Sequence, residues 1–201
     1  MNNASLVQNR RQAVAAIETE IKGVRLALAT HPDLFSPRRI DAGTRSMLEC
    51  VDFQAEDKVL DLGCGYGVVG ILAAKLIGED RVFLTDTNPT AVEVATKNAA
   101  ANDVPRLSIT QSDGFADFRE IGFTKILCNP PYHTDFAVAR QFILKGFNRM
   151  VIGGTMHFVT KRDKWYRNKM RAVFGGVTVK ELNSYYVISA EKRRDSYAKK
   201  A

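Results

Sequence analysis

Short runs of β-branched and large apolar residues alternate with helical patterns through the middle of the chain. Four such runs predict strands, at 58–62, 81–86, 107–113 and 124–129. A helix is predicted at 67–77, and a second runs from Pro89 to about residue 102 with Asn88 as its N-cap. This alternation predicts an α/β fold in which helices cross between parallel strands.

The pattern changes toward the C-terminus. A helix at about 135–149 and a strand at 155–161 precede a basic helix that begins at 162 and ends at Gly175-Gly176. Two further strands, 177–182 and 185–190, are separated only by Asn183-Ser184, which predicts an antiparallel hairpin. Together these elements predict a Rossmann-like, seven-stranded, mostly parallel sheet with a C-terminal antiparallel hairpin and helices on both faces.

The first residues carry a different pattern. Val14, Ile17, Ile21, Val24 and Leu28 recur at alternating spacings of three and four, which predicts an amphipathic helix with a narrow apolar seam. We expect this helical extension to span 1–32, before a main domain at 33–193 and a basic tail at 194–201. The seam would pack back on the domain or form a dimer contact, so monomer and homodimer both remain open.

Composition limits the class of protein. The 201 residues, 45% hydrophobic and 25% charged, suffice for one globular domain with a proper core. No apolar run approaches the roughly 20 residues of a membrane helix, and the N-terminus lacks the pattern of a secretory signal. The three cysteines are widely spaced and odd in number, which indicates neither a disulfide framework nor a metal site. We therefore expect a cytoplasmic protein without metal.

The positive charge is concentrated at one end. The last 41 residues hold twelve Lys and Arg against four Asp and Glu, a net +8, whereas residues 1–160 carry −1. One interpretation is a solvated basic tail. The other is a surface for a phosphate backbone, with Lys164 and Arg167 on the basic helix binding RNA and Trp165 or Tyr166 stacking on a base or packing on the core.

A glycine-rich loop, DLGCGYG at 61–67, follows the first strand of this series and opens a helix. Glycines there let the backbone turn tightly and approach a ligand. Because Gly65–Gly70 also fits GxGxxG, a nicotinamide dinucleotide is a candidate ligand. Asp61 argues against it, since a carboxylate at the strand end repels a pyrophosphate but attracts the ammonium and sulfonium of S-adenosylmethionine.

Two more acids end the following strands. Asp86 offers two acceptor oxygens to the hydroxyls of a ribose, and Asp113 can accept from an adenine amino group. Either can instead be a turn-former, Asp113 especially because it precedes Gly114. Ligands of open α/β sheets bind beyond the carboxyl ends of the strands, where all three acids are predicted to lie.

The tetrad Asn129-Pro130-Pro131-Tyr132 follows the last strand of the predicted parallel series. The Asn129 side-chain oxygen and the Pro130 carbonyl can hold the two N–H groups of a conjugated amine, localise its lone pair and aim it at an electrophile. The prolines stiffen the loop, and Tyr132 can stack on an extruded base. Catalysis would then rest mainly on positioning. A rigid turn without catalytic function is the alternative.

Taken in order, DLGCGYG, LTD, SDGF and NPPYH resemble the motifs of class I S-adenosylmethionine-dependent methyltransferases that act on amino nitrogens. FSPRRIDAGTRSML at 35–48, with His133, resembles the "methyltransferase small" family, which includes ribosomal RNA guanine-N2 enzymes and single-domain archaeal relatives. The resemblance covers about residues 33–193. It departs at Tyr132, where the family usually has Phe, and at the N-terminus, where the ribosomal enzymes carry a second, degenerate domain.

The resemblance implies roles for matched residues. Asn129, Pro130, Pro131 and Tyr132 would hold the target amine, and His133 would touch substrate or pack. The segment Asp41–Thr44 would close over the methionine end of the cofactor or simply cap a helix. The implied cofactor-binding residues are Asp61, Gly63, Cys64, Gly65, Gly67, Asp86, Thr87, Asp113, Gly114 and Asn129.

The expected function is methylation of an exocyclic amine of an RNA base, with guanine-N2 of ribosomal RNA favoured. Adenine-N6 of a transfer RNA and a glutamine amide of a protein remain open, because the NPPY motif accepts each of these amines. A non-catalytic RNA-binding subunit is a further alternative, against which the intact glycines, acids and tetrad argue.

Overall fold

A computed structural model describes residues 16–130 and 136–197 of the protein. Seven strands form one sheet in the order β5-β4-β3-β6-β7-β9-β8, and two N-terminal strands form a separate hairpin. The strands are β1 Ala16–Ile21, β2 Val24–Ala29, β3 Val59–Leu62, β4 Val82–Asp86, β5 Ser108–Gln111, β6 Phe123–Cys128, β7 Met150–Thr160, β8 Thr178–Leu182 and β9 Tyr185–Glu191. The helices are α1 Ala42–Cys50, α2 Val68–Ile77, α3 Pro89–Ala101, α4 Phe136–Arg149 and α5 Asp163–Phe174.

Strands β3, β4, β5, β6 and β7 are parallel, and β9 and β8 complete the sheet as an antiparallel pair. This confirms the predicted seven-stranded sheet and its hairpin. All four residues of β3 are buried, as expected of a central strand covered on both faces. The hairpin turn, Asn183-Ser184, has positive φ at both residues (52° and 63°), the backbone that a two-residue turn needs.

The helix boundaries follow local chemistry. Asn88 accepts a hydrogen bond from the Thr90 amide at 2.9 Å, with Pro89 at the first position, so the predicted start of α3 is confirmed. Helix α5 ends at Gly175, which adopts the left-handed conformation (φ 89°). Strand β7 is longer than expected because it begins at Met150, directly after α4.

The prediction of an N-terminal helix is wrong for residues 16–29, which form the β1–β2 hairpin. Lys22 and Gly23 both have positive φ and supply a two-residue turn. The apolar residues alternate with polar ones around that turn, and this period of two outweighs the coincidental three-and-four spacing. The paired side chains on this face are Ile17 with Leu28, Thr19 with Leu26, and Ile21 with Val24. Residues 1–15, where that helix was expected to begin, lie outside the described part.

The β1–β2 hairpin is not hydrogen-bonded to the seven-stranded sheet, but it packs against the rest of the domain. Ile21, Leu26 and Leu28 are buried in the same cluster as α1, α2 and α3, which covers one face of the sheet. Helices α4 and α5 cover the other face. In the expected tail, the Tyr197 ring packs on Phe147 with centroids 5.1 Å apart. No helix among the described residues is long and apolar enough to cross a membrane.

Candidate active site

A cleft of about 390 Å³ opens at the carboxyl ends of β3, β4, β5 and β6. Its size is that of a cofactor site. The sheet contributes the residues that follow these four strands, and the N-terminus of α1 and one side of α4 close the cleft. Among the lining residues are Asp61, Gly63, Cys64, Gly65, Asp86, Thr87, Asp113, Gly114, Asn129 and Pro130. The structure therefore brings together ten of the predicted catalytic and cofactor-binding residues.

The glycine loop turns tightly between β3 and α2. Gly63, Gly65 and Gly67 have φ of 77°, 55° and 93°, a region that residues with a side chain rarely adopt. The Gly63 and Cys64 amides donate to the Thr85 carbonyl at 2.8 and 3.0 Å, which ties the loop to β4. Gly67 is the N-cap of α2. A Cβ on Gly67 would come within 3.0 Å of Ile71, so this glycine serves the turn and its packing rather than the cleft wall.

Asp61 is 3% exposed, and its Oδ2 accepts a hydrogen bond from the Gly70 amide at 2.9 Å. Burial raises the pKa of Asp61 to about 7, and the charge on Asp86 adds to the rise while the Gly70 bond opposes it. The carboxylate fills the N-terminal end of α2, the place where a pyrophosphate would bind. The cleft therefore suits a cation better than a dinucleotide.

Asp86 anchors the loop as well as lining the cleft. Its Oδ2 accepts from the Gly65 amide at 2.8 Å and its Oδ1 from the Asn88 amide at 2.9 Å. A carboxylate has about four acceptor sites, so lone pairs remain for the hydroxyls of a ribose. Asp113 is exposed at the mouth of the cleft, and a Cβ on the adjacent Gly114 would lie 2.7 Å from the Phe142 ring. The wall there needs a glycine.

Asn129 follows β6, half-buried, with Pro130 buried behind it. The Asn129 Nδ2 donates to Asp41 Oδ2 and to Thr44 Oγ1, both at 2.9 Å. Asp41 is also the N-cap of α1, accepting from the Thr44 amide. The expected capping by Asp41 is thus confirmed, together with a contact to Asn129 that the sequence did not suggest. Pro131, Tyr132 and His133 lie outside the described residues.

The residues of the basic helix α5 differ in how exposed they are. Lys164 is exposed, whereas Arg167 is half-buried and pairs with Asp163 at 3.4 Å. Tyr166 is 5% exposed and packs in the core, so it cannot stack on a base. Trp165 stacks on Phe136 with centroids 4.3 Å apart and an interplanar angle of 13°. Phe136 is the first residue of α4, so this stack joins the start of α5 to the start of α4.

Two contacts at the site had no signal in the motifs. Tyr185 of β9 donates to Asp41 Oδ1 at 3.3 Å. Asn98 of α3 donates to the Tyr66 carbonyl in the glycine loop at 2.8 Å and also pairs with the backbone of Ala29. One feature of the sequence could have indicated the contact made by Asn98. Asn98 and Asn102 are spaced i, i+4 on α3, and both are buried.

The sheet order, the glycine loop and the acids at the strand ends define a Rossmann-like class I methyltransferase domain, a class whose cofactor is S-adenosyl-L-methionine. More narrowly, the chain belongs to the family described as methyltransferase small domain, whose model matches residues 25–190. In the described part of the chain, no group of three or more His, Cys, Asp or Glu side chains could hold a metal ion.

Known relatives agree with this membership. Ribosomal RNA large subunit methyltransferase G of Klebsiella pneumoniae is 29% identical over 176 residues, covering 84% of this chain and 47% of that protein. The Pectobacterium atrosepticum protein of the same name is 29% identical over 187 residues, 89% of this chain and 49% of its own length. The chain thus spans about half the length of these curated relatives.

Among solved structures, the Thermus thermophilus 16S rRNA N2 G1207 methyltransferase, in complex with AdoMet and guanosine, superposes with a TM-score of 0.79. It is 26% identical, and the match covers 89% of this chain and 50% of that one. Ribosomal protein L11 methylase from Lactobacillus delbrueckii superposes with a TM-score of 0.63 at 18% identity, over 82% of this chain and 90% of that one, and shares the fold alone.

Proposed function

We propose that the chain is an S-adenosylmethionine-dependent N-methyltransferase that acts on guanine-N2 of ribosomal RNA. The observation that carries this proposal is the Asn129 amide, held at the carboxyl end of β6 in the same cleft as three strand-end acids. The similarity to a guanine-N2 ribosomal RNA enzyme with guanosine in its complex supports the choice of base.

The residues that line the cleft fit the proposed cofactor. Asp61 faces its cationic methionine part, Gly63 and Gly65 let the backbone come close, and Asp86 accepts from the ribose hydroxyls. Thr87, Asp113 and Gly114 border the adenine. The bound cofactor supplies an electrophilic methyl group. The protein adds binding and orientation.

On the substrate side, the Asn129 oxygen and the Pro130 carbonyl accept the two N–H groups of the guanine amine. Held in this way, the nitrogen keeps its lone pair out of the ring system and directs it along the line of transfer. The nitrogen gains a methyl group and loses one proton. Amide and carbonyl oxygens are too weakly basic to keep that proton, so it passes to water. Tyr132 and His133 complete the base pocket in this proposal.

RNA would be held beside the cleft by the basic α5. Lys164 is exposed, and Arg167 lies one turn further along the same helix. Their charges would contact phosphates, which positions an RNA without reading its sequence. The stack of Trp165 on Phe136 holds this helix against the start of α4.

The experiment is transfer of a tritiated methyl group to total RNA that lacks the modification and, in a parallel assay, to total protein, followed by nucleoside and amino-acid analysis. Label in N2-methylguanosine of ribosomal RNA is the expected result. Label in N6-methyladenosine of transfer RNA, or in a protein glutamine, would replace the proposed substrate with one of the alternatives. No transfer to RNA or protein, with RNA binding intact, would indicate a non-catalytic subunit.

A further inference from the structure

The orientation of the Asn129 amide is fixed by its neighbours. Both of its N–H bonds are committed, one to Asp41 Oδ2 and one to Thr44 Oγ1, each at 2.9 Å. An ionised carboxylate only accepts hydrogen bonds. The reversed amide would set the Asn129 oxygen against Asp41 Oδ2, so the NH₂ group must face Asp41. The amide oxygen is thereby turned away from Asp41 and Thr44.

Asp41 is itself held from three directions. Its Oδ2 accepts from the Thr44 amide at 2.9 Å as the N-cap of α1, and its Oδ1 accepts from the Tyr185 hydroxyl at 3.3 Å. Tyr185 lies on β9 and is 8% exposed. The carboxylate therefore connects α1, the loop after β6 and the C-terminal hairpin.

Gly43 lets these groups come together. A Cβ at this position would lie 2.7 Å from the Tyr185 ring and 2.8 Å from Asp41 Oδ2, closer than real contacts allow. The φ of Gly43 is not in the left-handed region, so the requirement is for space. An ordinary N-cap needs only the capping side chain and a free backbone amide. The missing Cβ at Gly43 makes room for Tyr185 beside Asp41, which capping alone does not require. We therefore look for a second role of Asp41, beyond capping α1.

We propose that Asp41, buttressed by Tyr185, is a positioning residue for the target amine. It acts through Asn129, whose oxygen it turns toward the amine and whose acceptor strength it raises by polarising the amide. This inference rests on the proposed function of Asn129. It extends the reaction machinery beyond the NPPY tetrad to the segment 41–44 and to β9.

Two substitutions separate positioning from capping. Asp41→Ser keeps a good N-cap but is too short to reach Asn129. Asp41→Asn keeps an acceptor oxygen for both the Thr44 amide and Asn129. We expect Asp41→Ser to lower kcat by about 10²-fold, the scale of a misplaced reacting group. Its kcat should fall by much more than its cofactor affinity, and Asp41→Asn should restore most of the activity.

A readout that needs no activity is the side-chain ¹⁵N–¹H signal of Asn129, assigned by its loss in Asn129→Ala. In the wild type the two amide protons should be well separated and slow to exchange with water. Asp41→Ser should bring them together and speed their exchange, while Asp41→Asn should not. If Asp41→Ser fails to fold, Thr44→Ala removes one acceptor, leaves the cap, and should produce the same change to a lesser degree.

Activity and orientation can fail separately. If no RNA is methylated but the Asn129 signal responds as expected, the proposed function is wrong and the positioning contact stands. An Asn129 amide that exchanges freely in the wild type would overturn the inference whatever the activity. So would a full kcat in Asp41→Ser. Any residual single-turnover transfer by Asn129→Ala should not fall further when Asp41→Ser is added, because both changes remove the same interaction.

Discussion

Asp61 accepts a hydrogen bond from the Gly70 amide at 2.9 Å, so a carboxylate occupies the N-terminus of α2. In a dinucleotide-binding fold of the same topology, that end of the helix receives a pyrophosphate. The GxGxxG spacing alone is compatible with a dinucleotide and with S-adenosylmethionine, and the Asp61 side chain distinguishes between these two ligands. It also makes ligand binding depend on the protonation of a single group.

Cofactor affinity should rise with pH up to about 7. The pKa of Asp61 is raised to about 7 by burial, so below that pH the free protein holds a proton there. A cationic ligand favours the ionised form, and binding then releases that proton. Calorimetry between about pH 5.5 and 7.5 should show affinity falling by up to about tenfold per unit of pH below the pKa and levelling off above it.

Two controls isolate Asp61 in this experiment. Asp61→Asn keeps an acceptor for the Gly70 amide and should abolish the pH dependence, with weaker binding at the upper end of the range. Methylthioadenosine, which lacks the ammonium and the sulfonium, should bind the wild type equally across the range. A pH slope that persists in Asp61→Asn would assign the proton to another group.

Asn98 and Asn102 offer a matched pair of stability variants. Each pairs with the backbone of β2 through both its amide nitrogen and its oxygen, Asn98 at Ala29 and Asn102 at Ala27. Replacing either with Ala leaves partly buried backbone groups unpaired, which should lower the free energy of unfolding by about 1–3 kcal/mol in denaturant titrations.

Only Asn98 also holds the Tyr66 carbonyl of the glycine loop. Asn98→Ala should therefore weaken cofactor binding as well as stability, whereas Asn102→Ala should affect stability alone. Equal cofactor affinities in the two variants would mean that the loop keeps its shape without this bond.

Gly70 marks the close approach of α2 to the sheet. A Cβ there would lie 2.5 Å from the side chain of Leu84, so Gly70→Ala should lower the free energy of unfolding by about 1–3 kcal/mol through overpacking. Gly176→Ala is the control, because no atom lies within 4 Å of its Cβ position. Leu84→Ala should cost less stability in the Gly70→Ala background than in the wild type, because the added methyl group fills part of the space that Leu84 leaves. A purely additive double variant would argue against a steric cause.

RNA binding should depend on α5 through charge. Replacing Lys164 and Arg167 with Ala should lower RNA affinity and reduce the slope of log affinity against log salt by about one unit or less per lost contact. The control replaces Arg25 on β2 and Lys97 on α3, two exposed basic residues, with Ala. This removes the same amount of positive charge from another surface and should leave the salt slope nearly unchanged. Equal slopes for both pairs would place the RNA on another surface.

Much of the fold was accessible from the sequence because its signals are local. Asn88 and Pro89 mark a helix start, Asn183-Ser184 marks a tight turn, and short apolar runs mark buried strands. The N-terminal hairpin was mispredicted because its apolar residues fit two periods, and the decisive feature is the turn at Lys22-Gly23. A Lys-Gly turn in the middle of the segment favours two strands over one continuous helix.

The candidate site was predictable only as far as its residues follow strands. Parallel strands bring their carboxyl ends to one edge, so the sequence alone could place Asp61, Asp86, Asp113 and Asn129 together. The partners of Asn129 could not be predicted in this way. Asp41 precedes it by 88 residues, and Tyr185 comes from an antiparallel strand whose register sequence spacing does not reveal.

The central claim is that Asn129 orients the amine that accepts the methyl group. The most direct measurement is single-turnover methyl transfer to RNA by Asn129→Ala beside the wild type, with cofactor and RNA saturating. We expect transfer to be lost while calorimetry gives nearly unchanged cofactor affinity, because Asn129 serves the substrate side of the cleft. Transfer at near wild-type rates in Asn129→Ala would contradict the claim.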